Sequence, residues 1–305
     1  MSEKVKCKKC GLEIDPDCQT CPYCGYPQHE QIEGKDESNS KRITNAFFDK
    51  PQTQIKDEKQ SNSKITFFSF TSRTIDINPY KSLAFFIIGF FLLKTIALIF
   101  SLIASTQSWY FNVSGAATAA INFSSYFLIF GIFTLTLGKD ISKIFKEFTK
   151  SDSYIYGIAF GFFMMIVSSA VTSFMNLFQQ AGVNANEASI DSTTSLYPFL
   201  SIVIFGIVGP ICEEFTYRVG LFTFIKKYNR VAAYLITALV FGLLHFTFNI
   251  DTIVTELINL PSYIVSGLLL CYFYDYKGFG ASTVAHITNN LFALLMQLIL
   301  SSIVL

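Results

Sequence analysis

The chain has 305 residues, 51% of them hydrophobic and 33 of them phenylalanine, with a formal net charge of +1. Only 15% are charged, against about a quarter in typical soluble domains. That net charge says little about partners, and no nucleic acid is indicated; the distribution says more than the sum, because ionisable residues crowd into residues 1–81 and thin sharply afterwards.

Residues 1–26 carry Cys7-x2-Cys10-Gly11 and Cys21-Pro22-Tyr23-Cys24-Gly25. Four thiolates at that spacing close a tetrahedral zinc shell, and glycine after the second Cys of each pair permits the tight turn around the metal. Cys18 is a spare that can exchange with Cys21. No apolar stretch precedes Leu83, so the N-terminus is expected to stay in the reducing cytoplasm, where metal is favoured over a disulfide or a redox Cys-x2-Cys. With so few apolar residues the module would not fold without its metal, so the zinc is structural. This segment resembles a zinc ribbon, and it offers a surface for a protein partner.

Residues 27–81 are rich in Gln, Lys, Asp, Glu, Ser and Asn and include KDESNSKR and KDEKQSNSK. Little apolar area is available to offset ordering, so the stretch reads as a flexible tether. Phe67, Phe68 and Phe70 at its end are expected to touch the membrane interface.

Residues 82–305 form long apolar runs, and about 20 residues cross a bilayer. Spans are expected near Leu83–Ile103, Ala117–Leu137, Ile155–Phe178, Tyr197–Ile225, Val231–Phe248, Leu257–Tyr274 and Ala281–Ile303. The fourth is over-long and is expected to tilt, bend or leave the bilayer. Lys64, Arg73 and Lys81 precede the first span, and Lys139, Lys143, Lys146 and Lys150 follow the second. Lys226, Lys227 and Arg230 follow the fourth, and Lys277 follows the sixth. Residues 104–116, 179–196 and 249–256 hold no Lys or Arg. That alternation predicts an all-α polytopic protein of about seven transmembrane helices in the cell membrane, with a cytoplasmic N-terminus.

A charge at the centre of a membrane helix costs about 2.5–3.5 kcal/mol, so each needs a reason. Glu214 and Arg218 are four apart on the fourth span and can pair. Glu213 points about 100° away, which frees its carboxylate for proton transfer from water. A structural ion cluster is the competing reading. His245, in Phe241-Gly242-Leu243-Leu244-His245, lies about 21 Å from the cytoplasmic end of its span and Glu213 about 18 Å, so the two can meet. His286 and Asn290 share one face of the last span, where they can donate to a developing negative charge or glue helices together. By the same count His286 is shallow, about 8 Å deep, so that span starts earlier than drawn or tilts. Lys94, near the middle of the first span, pairs with a buried carboxylate or snorkels.

Glu213-Glu214-x3-Arg218, Phe241-x3-His245 and His286-x3-Asn290 follow one another on successive spans. In this the sequence resembles the CAAX protease and bacteriocin-processing (CPBP) family, also called type II CAAX prenyl endopeptidases or the Abi family, over roughly residues 155–300. The resemblance implies an intramembrane endopeptidase in which Glu213 and His245 activate water. His286 and Asn290 would then hold the oxyanion, and Glu214 and Arg218 would support the site. It implies a substrate that is a membrane-embedded or membrane-associated peptide or protein. The ribbon and tether lie outside the family core.

Glu213, His245 and His286 could also form a catalytic zinc shell, although there is no His-Glu-x2-His run. A non-catalytic immunity or regulatory scaffold of the same fold is a further alternative, with the ribbon as its interaction module. A transporter ranks last, because no internal repeat is visible.

Overall fold

The computed structural model describes residues 5–7, 9–15, 18, 20–26, 70–106, 114–179 and 182–304. His29, Phe67, Phe68 and the low-complexity stretches of the tether lie outside the described residues. At the N-terminus, strands β1 (Val5–Lys6) and β2 (Glu13–Ile14) pair antiparallel, with Val5 opposite Ile14 and Lys6 opposite Glu13. Gly11 and Gly25 take φ of +73° and +70° directly after Cys10 and Cys24, the turns that the knuckle spacing calls for.

Everything else described is helical or connects helices. α1 covers 79–105, with a π-helical turn at Ile88–Leu92. α2 (Ser114–Leu137) is followed by the short amphipathic α3 (Ile141–Phe148), α4 (Ser151–Met175) and α5 (Ala185–Leu196). α6 (Pro198–Lys226), α7 (Arg230–Leu244), α8 (Ile253–Lys277) and α9 (Phe279–Val304) complete the bundle. Five helices are long and apolar enough to cross a membrane, those of α2, α4, α6, α8 and α9. Pro79–Leu92 and Arg230–Leu244 are shorter apolar helices, so the seven expected spans each have a helical counterpart. α3 and α5 fall in segments that the hydropathy reading leaves as loops. Both carry local signals: Ile141, Ile144, Phe145 and Phe148 recur at helical spacing, and Asn184 caps α5 by accepting from the Glu187 amide at 2.9 Å.

α6 is bent, as its length suggests. Two π-helical stretches, Ile202–Val208 and Glu214–Phe222, flank a short α-helical segment, Gly209–Glu213. Pro210 has no N–H to give the turn before it, so the ladder must slip there. π winding also packs more residues into a given length than the α-helix assumed in a depth count. Glu213 is therefore less deep than 1.5 Å per residue suggests.

The last helix starts from inside the protein. Gly278 turns the chain at φ +94°, and Phe279 is fully buried with its ring against Phe148 of α3. α9 begins two residues before the expected Ala281, which adds about 3 Å to the depth counted for His286, and that side chain is buried within the protein.

The core centres on Phe85, Phe133, Phe215 and Phe279, whose rings meet at 4.9–5.6 Å between centroids. Such aromatic pairs add about 0.5–1.5 kcal/mol each beyond area burial. α4 approaches α9 through Gly157 and Gly161; a Cβ at Gly161 would stand 2.6 Å from Thr288 Cβ. Small residues four apart let backbones approach where lipid offers no hydrophobic drive to association.

At the ribbon end, Asp275 is fully buried and gathers three helices. Its Oδ1 accepts from Lys226 Nζ at 2.8 Å, and its Oδ2 from Arg230 Nε at 2.7 Å and from the Tyr234 hydroxyl at 2.9 Å. Residues 70–78, the end of the segment read as a tether, are packed onto this network. Arg73 N donates to Asp275 O at 2.8 Å, Lys226 Nζ donates to Ser72 and Thr74, and Ile75 and Ile77 are buried. Arg230 also lies 4.5 Å from the centroid of the Phe70 ring, so Phe70 meets protein. The side chain of Lys94, on α1, lies outside the described residues.

Asp275→Asn leaves Lys226 and Arg230 buried without their countercharge, and removing one partner of a buried pair costs about 3–5 kcal/mol. Thermal unfolding in detergent should show a drop of many degrees; an unchanged transition would mean that the network does not hold the helices together.

Candidate functional site

Glu213 and Glu214 sit where the α-helical segment of α6 passes into its second π stretch, and π turns recur at functional sites. The Glu214 side chain has no exposure, whereas that of Glu213 keeps 22%. Arg218, also fully buried, places Nη1 3.2 Å from Glu214 Oε1. This is an ion pair by distance rather than an aligned hydrogen bond, since Arg218 Nη1 makes no hydrogen bond among the described residues. The rest of the guanidinium is sheltered by the Phe241 ring, 4.6 Å from Cζ to centroid, a cation–π contact that strengthens when desolvated.

His286 of α9 touches both glutamates. Its Nδ1 is 3.0 Å from Glu214 Oε1 and its Nε2 is 3.5 Å from Glu213 Oε2. An ionised Glu214 can only accept, which assigns a proton to Nδ1. The edge facing Glu213 then carries either a lone pair or, in the imidazolium, a second N–H.

His245 is the residue just past α7, with Nδ1 2.9 Å from Phe241 O. Phe241 thus performs three tasks at once: its carbonyl meets His245, its ring faces Arg218, and it packs 5.0 Å from the His245 ring and 5.9 Å from His286. The four-residue spacing of Phe241 and His245 is what puts carbonyl and imidazole in register. Asn290 donates from Nδ2 to Phe205 O at 3.1 Å, and its Oδ1 accepts from Asn289 Nδ2 at 3.1 Å.

Glu213, His245, His286 and Asn290 line one cavity of about 490 Å³, and Glu214 and Arg218 stand behind its wall. The structure therefore brings together all four residues singled out for chemistry and separates the two singled out for support. Asn289, Tyr126, Tyr263, Glu187 and Asp191 also line it. None of these was singled out from sequence. Asn289 had a signal, its place beside Asn290, while Tyr126 and Tyr263 had none in an aromatic-rich chain. Burial at the cavity mouth pushes the carboxyls of Glu187 and Asp191 on α5 above their ordinary values.

A second cluster lies in the N-terminal module. The Sγ atoms of Cys7, Cys10, Cys21 and Cys24 all lie within 4.8 Å of one another, with Cys7 to Cys24 at 3.6 Å and Cys10 to Cys21 at 3.7 Å. Those separations are too long for disulfides. They match the edge of about 3.8 Å expected for a tetrahedron with metal–sulfur bonds near 2.3 Å. Cys7 Sγ accepts from the amides of Lys9 at 3.4 Å and Cys10 at 3.5 Å. Burial pushes the Cys7 thiol up, but these amides outweigh it and bring it down to about 6. Burial holds the thiols of Cys10 and Cys24 above their ordinary value. Four Cys donors so placed can bind a metal ion; Cys18 is not among them.

Residues 195–292, which contain all three motifs, match the family model described as Type II CAAX prenyl endopeptidase Rce1-like. The resemblance read from the motifs is thereby borne out. The UPF0177 protein YvdC of Lactococcus lactis subsp. lactis (strain IL1403) is 27% identical over 145 residues, 47% of this chain and 53% of that protein. The chain spans about half the length of this curated relative. No solved structure matches. The matched segment, about a third of the chain, is similar to that endopeptidase family, and with five membrane-length apolar helices among the described residues the chain is an integral membrane protein.

Proposed function

We propose that the chain is an intramembrane endopeptidase of the glutamate-activated-water type, acting on a membrane-embedded or membrane-associated peptide or protein. The observation that carries this reading is the contrast between two neighbouring carboxylates: Glu213 open to the cavity, Glu214 fully buried against Arg218. In this mechanism Glu213 accepts a proton from water held between it and His245, and the hydroxide adds to the scissile carbonyl. His286 and Asn290 donate to the oxygen that becomes negative, and Asn289 keeps Asn290 oriented. Collapse of the tetrahedral intermediate breaks the C–N bond, and Glu213 returns its proton to the leaving amine. Glu214 and Arg218 fix His286 and do not touch the substrate.

The zinc-dependent version of the reaction is less well supported. His286 Nδ1 is taken by Glu214, and among the described residues only the four Cys bring three or more metal-binding atoms within the compass of one ion. The ribbon would hold structural zinc through Cys7, Cys10, Cys21 and Cys24. The Lys and Arg distribution supports a cytoplasmic side of the cell membrane for the ribbon, residues 1–26, and for the tether that joins it to the helical domain, whose packed part begins by residue 70 rather than 82.

Cell membranes with wild-type protein should contain new peptide termini that are absent from membranes with Glu213→Gln. Identical peptidomes from the two would contradict the protease reading and favour a non-catalytic scaffold.

Metal analysis addresses the zinc separately. Purified wild type should carry about one zinc per chain and the Cys21→Ser, Cys24→Ser double variant none. Zinc retained by the double variant would indicate a second metal site. Affinity should fall as pH is lowered, because the raised thiols of Cys10 and Cys24 must lose protons to bind.

A further inference from the structure

α5 roofs the cavity, contributing Asn186, Glu187 and Asp191 to its lining, and one face of α8 holds it there. Glu256 is buried and bridges two chain segments: Oε1 accepts from Ala185 N in the first turn of α5 at 2.9 Å, and Oε2 from Thr247 N, two residues past His245, at 3.1 Å. Asn259 Nδ2 donates to Gly182 O at 3.3 Å. Seven residues after Glu256, and so on the same face, Tyr263 donates its hydroxyl to Glu187 Oε1 at 3.1 Å and accepts from Asn184 Nδ2 at 3.0 Å.

The ring of Tyr263 does something else. It lies flat against His245, with centroids 4.5 Å apart and planes 13° from parallel. Phe241 covers the same imidazole at 5.0 Å, and its carbonyl meets Nδ1 at 2.9 Å. Together these contacts leave Nε2 for the cavity and oppose rotation of the ring about its bond to Cβ. Among the described residues, the hydroxyl that fixes the Tyr263 ring is anchored on α5 and its capping residue Asn184.

We propose that Tyr263 is a positioning residue that makes the orientation of His245 depend on the seating of the roof helix α5. With α5 seated, the hydroxyl is held by Asn184 and Glu187 and the stacked ring keeps Nε2 of His245 aimed at the cavity. With α5 lifted, as entry of a peptide substrate requires, the anchor is lost and His245 is free to turn. The site thus assembles fully only after the roof has closed, which excludes water from a half-open cavity. This inference rests on the endopeptidase reading for its catalytic consequence, but not for its structural one.

The test uses full-length protein in lipid nanodiscs with nitrogen-15 histidine, the His245 signals being assigned by their loss in His245→Gln. Wild type should show one ordered ring state for His245. Tyr263→Phe keeps a ring beside His245 and removes the anchor, so the His245 signals should broaden part-way towards those of Tyr263→Leu while amide exchange of α5 quickens at least tenfold. Tyr263→Leu removes the stack, so the His245 signals should broaden and split between tautomers. Turnover should fall about ten- to a hundredfold in kcat with KM little changed in Tyr263→Leu, and by a smaller factor in Tyr263→Phe, since misplacing a catalytic group by about 1 Å costs that much. His245 signals in Tyr263→Leu like those of wild type, or α5 exchange unmoved in Tyr263→Phe, would overturn the proposal. Wild type without turnover would contradict the endopeptidase reading, and the ring and exchange measurements would still decide this one.

Discussion

A glutamate and an arginine with no exposure at all form the constraint on which the site depends. Glu214 and Arg218 stand one helical turn apart within a π-wound stretch, and burial of both charges is costly unless each serves the other. A buried pair of this kind is weak evidence for stability in its own right. Here it has a different consequence: Glu214, held by Arg218, fixes Nδ1 of His286 and so fixes which edge of that ring meets Glu213. Phe241 closes the arrangement from the other side, shielding Arg218 and carrying the carbonyl that meets His245. The three motifs are therefore one packed unit built from three segments of backbone, α6, α7 and α9.

The rest of the bundle sets the height and angle at which these segments meet. Pro210 and the π stretches shorten and turn α6, and Gly278 starts α9 from beneath α3. Gly157 and Gly161 then bring α9 close to α4. At the ribbon end Asp275 ties α6, α7 and α8 to residues 70–78, so the elements bearing Glu213 and His245 share an anchor far from the cavity.

Charged and strongly polar residues in an apolar run are conspicuous, and that is why Glu213, Glu214, Arg218, His245, His286 and Asn290 could be read from the sequence, with the separation of Glu213 from Glu214 following from helical angle alone. The number of helical spans followed from run length. Depth did not, because a count at constant rise cannot anticipate π winding or a helix that starts under another. Tyr263 was invisible as a working part among 15 tyrosines, and Phe241 was legible only as the first residue of its motif, since their roles come from contacts between helices. Residues 70–78 looked like tether because their composition is polar, and only Ile75 and Ile77 hinted that they pack. His286 was expected beside Asn290 at an oxyanion; the structure adds its contacts to both glutamates, which no spacing within one helix encodes.

The division of labour between adjacent carboxylates is the central claim, and it is tested by comparing Glu213→Gln with Glu214→Gln in purified protein, reading turnover and thermal unfolding together. Glu213→Gln should lose turnover by about 10²–10⁴-fold while its unfolding transition stays in place, since it removes a proton acceptor from an open cavity. Glu214→Gln should unfold many degrees lower, because it strands Arg218 in the core. The reverse outcome, with an unfolding loss in Glu213→Gln and an intact transition in Glu214→Gln, would contradict the account.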